Sequence, residues 1–145
     1  PNDIVVADRK AGGILIETIY RGSEWTWAVV GIGININQDV FTESIPHATS
    51  LKMVSGNTYS VISLAKELQQ RLIEAVDAYH SSNADEVIAE YNQYLYKKSA
   101  VVQFALPHGM LQSRIQHVDA QGNLHTSDTE DRCFRVGELT WIWNR

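Results

Sequence analysis

The sequence predicts an α+β chain (α/β in the broad sense), with a largely antiparallel sheet backed by helices and then a small SH3-like β-barrel. Three observations carry that expectation. β-Branched runs punctuated by glycine fill the residues before Asn37, and a long stretch after Tyr59 repeats apolar residues at helical spacing. Beyond Ser99 the chain breaks into short apolar runs divided by turn signals.

Ile4–Ala7 and Ile14–Tyr20 read as strands parted by Asp8-Arg9-Lys10 and a glycine pair, and Trp25–Ile34 reads as a third. The break Arg21-Gly22-Ser23-Glu24 is short enough to make the last two an antiparallel hairpin. A turn centred between Gly22 and Ser23 pairs Gly12 with Gly33, Gly13 with Ile32 and Lys10 with Asn35. Two glycine clusters distant in sequence then meet at the open end of one hairpin. Gln38 to Thr58 reads as a long irregular loop, of a length that is more often functional than a spacer. Ser60–His80 is an amphipathic helix with Val61, Leu64, Ala65, Leu68, Leu72, Val76 and Tyr79 on one face, ended by Ser81-Ser82-Asn83. Asn83 and Glu86 resemble a capping box for a second helix over Ala84–Tyr96. Strands follow at Ala100–Leu106, Met110–Val118, Asn123–Ser127, Arg132–Val136 and Thr140–Trp143, so a boundary is expected at Lys97-Lys98-Ser99, giving domains 1–97 and 98–145.

The chain of 145 residues is 44% hydrophobic and 20% charged, enough to bury a core. Its 12 basic and 17 acidic residues leave a net charge of −5, which argues against a nucleic-acid footprint on this segment. Trp27 to Ile34 is too short an apolar run to cross a bilayer. The single cysteine, Cys133, forbids an internal disulfide and favours a reducing, cytoplasmic setting. The chain opens at Pro1, with no initiator Met, inside its most informative pattern, and a piece of a larger protein is expected.

Strands need side chains to pack, so glycines at their ends predict a ligand lying on bare backbone. Gly31-Ile32-Gly33 is no dinucleotide fingerprint, because position 36 is Ile and no helix opens there. Lys10 over such a shelf suits a carboxylate or phosphate, or is an ordinary solvated turn lysine. Asn2 and Asn35 can recognise a base edge or ribose, or simply end strands. Asp3 either caps a turn or orients an amine or a metal-bound phosphate, and spacing alone does not bring it to Lys10. The 5 histidines are scattered without ligand spacing, so no metal site is expected. Trp25, Trp27, Trp141 and Trp143 alternate within strands and read as packing residues.

Pro1-Asn2-Asp3, Arg9-Lys10-x-Gly12-Gly13-Ile14-Leu15-Ile16-Glu17, Val30-Gly31-Ile32-Gly33-Ile34-Asn35 and Ala48-Thr49-Ser50-Leu51 together closely resemble biotin–protein ligases, whose first motif normally reads Lys-Trp-Pro-Asn-Asp. The resemblance implies the C-terminal part of a class II synthetase-like catalytic domain, incomplete at its N-terminus, plus the family's barrel. It implies an ATP-dependent ligase that makes biotinyl-adenylate, with Mg²⁺ assisting, and passes biotin to a lysine of a carboxylase's acceptor domain. Lys10 and Asp3 would be catalytic. Lys10, Gly13, Gly31 and Gly33 would bind biotin, and Asn2 and Asn35 the ATP side. The family's Gly-Arg-Gly-Arg-type loop lies upstream of this segment and is absent here, so this chain alone is expected to be weak or inactive. An open sheet of this kind is expected to expose an apolar face and to self-associate, with a homodimer as one form. A partner-docking module without catalysis and a lipoate-attaching relative remain alternatives.

Overall fold

A computed structural model of the chain describes residues 2–79 and 83–143. Pro1 of the first motif, His80 at the expected helix end and the Ser81-Ser82 break lie outside the described residues. The described residues fall into two compact units, Asn2–Gln69 and those from Gln70 onward. That division lies inside a helix, well before the change in composition at Ser99.

In the first unit β1 (Asp3–Val6), β2 (Arg9–Arg21) and β3 (Glu24–Ile34) form an antiparallel sheet in the order β1-β2-β3. Ala7 and Asp8 both take positive φ (50° and 59°) and turn β1 tightly into β2, so the strand starts at Arg9 and absorbs Lys10. Gly22, with φ 63°, opens the two-residue turn into β3.

The expected register holds only beside that turn, where Arg21 faces Glu24 and Tyr20 faces Trp25. Ile19 then faces Trp27, which leaves Thr26 as an extra residue whose hydroxyl donates to the Ile19 carbonyl at 2.9 Å. The one-residue shift sets Gly13 against Gly33 and Gly12 against Ile34. Lys10 pairs with Val5 and Ala48 rather than with Asn35.

The 38–58 loop carries a short helix that periodicity missed, α1 (Leu51–Ser55), with Ser50 as N-cap and Gly56 in the left-handed C-cap conformation. Next come α2 (Val61–Tyr79) and α3 (Ala84–Gln93), the latter capped by Asn83 accepting from the Glu86 amide and stopping short of the expected Tyr96. Neither α1 nor α2 has a buried residue, and Leu15, Ile16, Ile19, Val29 and Val30 stay in solvent. Trp25 and Trp27, expected to pack, are 58% and 67% exposed. No helix among the described residues is long and apolar enough to cross a membrane.

In the second unit β4 (Val101–Leu106), β5 (Gly109–Val118), β6 (Leu124–Ser127), β7 (Asp131–Phe134) and β8 (Thr140–Trp141) form the small SH3-like barrel, in the order β7-β6-β5-β4-β8. Val102, Phe104, Leu111 and Ile115 are its core, and Trp141 meets Phe104 edge-on at 5.3 Å.

Gln116 bulges out of β5, and on the edge of β5 that β4 leaves open beyond Arg114, α3 supplies a partner. The buried Asn92 accepts from the Val118 amide at 2.7 Å and donates to the Val118 carbonyl at 2.8 Å, as a neighbouring strand would. At the β5–β6 turn Asp119 accepts from His125, from the Asn123 side chain and amide, and from the Gln121 amide. These bonds, led by that from His125, hold its carboxyl well below the usual carboxylate range.

Asn92→Leu strands both polar groups of Val118, and urea denaturation should show a loss of about 2–4 kcal/mol. Thr126 is buried with a hydroxyl that has no partner. Thr126→Val should therefore stabilise the chain by up to about 1 kcal/mol, read as a higher denaturation midpoint.

Candidate functional site

Side chains alternate across a strand, so Lys10 and Gly13, three apart, belong on opposite faces of an uninterrupted β2. A bulge changes this. Ile4 faces Gly12 while Val5 faces Lys10, leaving Ala11 as the extra residue, fully buried, with its carbonyl accepting from the Asn35 amide at 2.7 Å. Lys10 thereby joins the face that carries Asp3 and Gly13. Its ammonium reaches the Asp3 carboxylate at 2.5 Å. Each side chain is roughly half exposed, so this ion pair fixes direction more than stability and contributes about 0–1 kcal/mol.

Cross-strand neighbours share a face, and Asp3–Gly13–Gly33 and Leu15–Gly31 are direct partners. The three glycines therefore form a side-chain-free shelf beside the Lys10–Asp3 pair. A Cβ built at Gly31 or Gly33 meets only ordinary contacts, with the Leu15 carbonyl oxygen at 3.7 Å and the Gly13 carbonyl oxygen at 4.0 Å. Packing does not require glycine at these two positions, so their bareness is available to a ligand. Gly12 differs: a Cβ there collides with the Gly33 carbonyl oxygen and crowds Ile34 Cα at 3.1 Å. Gly12 is structural, on the opposite face.

The shelf is braced by Ala48-Thr49-Ser50-Leu51. The Lys10 amide donates to the His47 carbonyl at 2.8 Å and the Thr49 amide to the Lys10 carbonyl at 2.9 Å. Ala48, Thr49 and Ser50 are buried, and the Ser50 hydroxyl donates to the Gln38 carbonyl at 2.6 Å. Asn35 is partly committed here, with Nδ2 donating to the Thr49 carbonyl at 3.1 Å and its own carbonyl accepting from the Leu51 amide. Asn2 gives its carbonyl to the Ile14 amide at 2.8 Å and leaves an exposed side chain.

Asp3, Lys10, Gly13, Gly31 and Gly33 are thus brought together, and Asn35 borders them through Ala11. Sequence reasoning missed Asn37, whose side chain donates to the Tyr59 carbonyl and accepts from the Tyr59 amide, pinning the chain just before α2. It also missed a group in the barrel. Asp119, His125 and Cys133, scattered in sequence, present ligand-type atoms within 4.8 Å of one another.

No protein-family model matches the chain. Among solved structures it is similar to biotin protein ligase from Aquifex aeolicus. The apo structure superposes with a TM-score of 0.75 at 20% identity, covering 99% of this chain and 63% of that one. A structure of that ligase in complex with biotin and ATP gives a TM-score of 0.76 at 20% identity, covering 99% and 60%. The likeness establishes the fold over nearly all of this chain, which spans somewhat under two thirds of those proteins' length.

Chemical denaturation separates the two kinds of glycine. Gly12→Ala should cost roughly 2–3 kcal/mol through overpacking against rigid backbone. Gly33→Ala should stay within about 1 kcal/mol of the parent chain.

Proposed function

We propose that this chain is the C-terminal part of a biotin–protein ligase, residues 1–97 belonging to the catalytic domain and 98–145 forming its barrel. The carrying observation is the bulge-imposed meeting of Lys10 and Asp3 with the Gly13, Gly31 and Gly33 shelf on one sheet face. The similarity of its fold to a ligase described with biotin and ATP supports the reading, as do the motifs along the chain.

In this reading the fused rings of biotin lie on the glycine backbone, where any side chain would take their place. The biotin carboxylate attacks the α-phosphorus of ATP, a new O–P bond forms, and pyrophosphate leaves with the broken bond's electrons. Lys10 offsets the charge gathered where carboxylate and phosphate meet. A lysine amine of the acceptor domain then attacks the acyl carbon of the mixed anhydride, and AMP departs. Asp3, held by Lys10, orients that amine or accepts its proton. Asn2 has a free carboxamide for the nucleotide. Asn35 keeps chiefly its Oδ1, since its Nδ2 is given to Thr49. The Asp3 carboxylate beside the shelf is already engaged by Lys10, so it does not fit a resident Mg²⁺ site. A reducing, cytoplasmic setting suits the lone thiol, and the apolar side chains exposed on β2 and β3 favour self-association.

Titration calorimetry with biotinyl-adenylate tests the proposal. Binding should weaken about ten- to a hundredfold in Lys10→Ala, the size of a lost charge-assisted hydrogen bond. It should disappear in Gly33→Val, with the fold retained by circular dichroism. Absence of heat with the parent chain would favour the docking module, and tighter binding of lipoyl-adenylate the lipoate-attaching relative.

A further inference from the structure

Among the described residues outside the shelf, a grouping of ligand-type side chains lies on the outer face of the barrel. His125 and Cys133 are direct cross-strand partners on β6 and β7, and His117 is the direct partner of His125 on β5. The two imidazoles stack at 4.4 Å and 7°, so the His125 ring is held flat against a neighbour. Asp119, two residues beyond His117, brings Oδ2 to 2.9 Å from His125 Nε2, and Cys133 Sγ lies 3.7 Å from the same nitrogen.

We propose that Asp119, His125 and Cys133 form a Zn²⁺ site, one ion per chain, with the fourth coordination position open to solvent. Two of the three donor separations are close to those that zinc needs, and the third, from the Asp119 oxygen to the Cys133 sulfur, lies within 4.8 Å. Zinc bonds of ordinary length at tetrahedral angles place nitrogen and oxygen roughly 3.3 Å apart and nitrogen and sulfur roughly 3.6 Å apart. The observed 2.9 and 3.7 Å differ from these by a few tenths of an ångström.

A purely structural role for Asp119 as turn cap explains its contact with His125 but not the thiol. One imidazole nitrogen faces a carboxylate oxygen and a sulfur together, and a single proton on Nε2 can serve one of them. A cation serves all three. The surroundings also resemble those of a metal ligand set. Asp119 Oδ1 is fixed by the Gln121 and Asn123 amides and Oδ2 by the Asn123 side chain, contacts that aim the carboxylate before any ion arrives. A thiolate, an imidazole and a carboxylate suit zinc better than the hard cations, which prefer oxygen alone. Because Asp119 closes β5 while the other two ligands sit on β6 and β7, the ion would clamp three strands.

The test uses the 145-residue chain, purified without a histidine tag and stripped by chelator. Titration with Co²⁺ as a spectroscopic probe should reach one equivalent, with a thiolate-to-cobalt charge-transfer band and the intense visible bands of four-coordination. Zn²⁺ should displace it and raise the thermal midpoint. Cys133→Ser should erase the charge-transfer band and weaken Zn²⁺ at least about tenfold, and His125→Ala should do likewise. His108→Ala, in the turn before β5, should change nothing. Circular dichroism of the metal-free variants checks that each is folded, and Asp119→Asn, which keeps the turn's acceptor oxygen, supplies a third variant. Failure of the parent chain to bind either ion, or binding equally well in Cys133→Ser and His125→Ala, would overturn the site. None of these readouts depends on biotin or ATP, so the outcome is independent of the ligase reading.

Discussion

One extra residue in β2 governs the chemistry of the first unit. Without Ala11 standing unpaired between the partners of Ile4 and Val5, Lys10 would point to the face opposite Gly13. With it, an ammonium and a carboxylate flank bare backbone. The bulge is held on its other edge, where the Ala11 carbonyl receives the Asn35 amide, and its methyl is fully buried. A second extra residue, Thr26, makes the matching correction in β3 and brings Gly33 level with Gly13. The shelf is therefore the product of two bulges acting in register.

The Ala48–Leu51 stretch braces the shelf through hydrogen bonds to its backbone. Ala48, Thr49 and Ser50 are small and buried, and the Thr49 and Leu51 amides and the Ser50 hydroxyl hold Lys10, Asn35 and Gln38 in place. Small polar side chains suit this position because each buried polar group must find a partner. The N-cap at Ser50 then starts α1, so the same few residues end the brace and begin a helix.

In the barrel the same logic of borrowed partners recurs. The pairing of β4 with β5 stops at Arg114, and farther along β5 the carboxamide of Asn92 bonds both backbone groups of Val118. That contact ties α3 to the sheet, and replacing it leaves two buried backbone groups unsatisfied. It also fixes the strand from which Asp119 projects toward His125 and Cys133.

Strand identity, the hairpin turn at Gly22-Ser23, the two main helices, the turns of the barrel and the meeting of the glycine clusters were all legible in the residues, because each is set by local rules of periodicity and turn chemistry. The short α1, the early end of α3 and the exposure of Trp25 and Trp27 were not: α1 is one capped turn too short to show a period, and the packing of the folded chain decides the others. Least legible were face and register. An inserted residue such as Ala11 or Thr26 carries no signature in an apolar pattern, yet each reverses which side chains look the same way. The convergence of Asp119, His125 and Cys133 likewise arises only when three strands are laid side by side, because spacing along a chain says nothing about neighbours across a sheet.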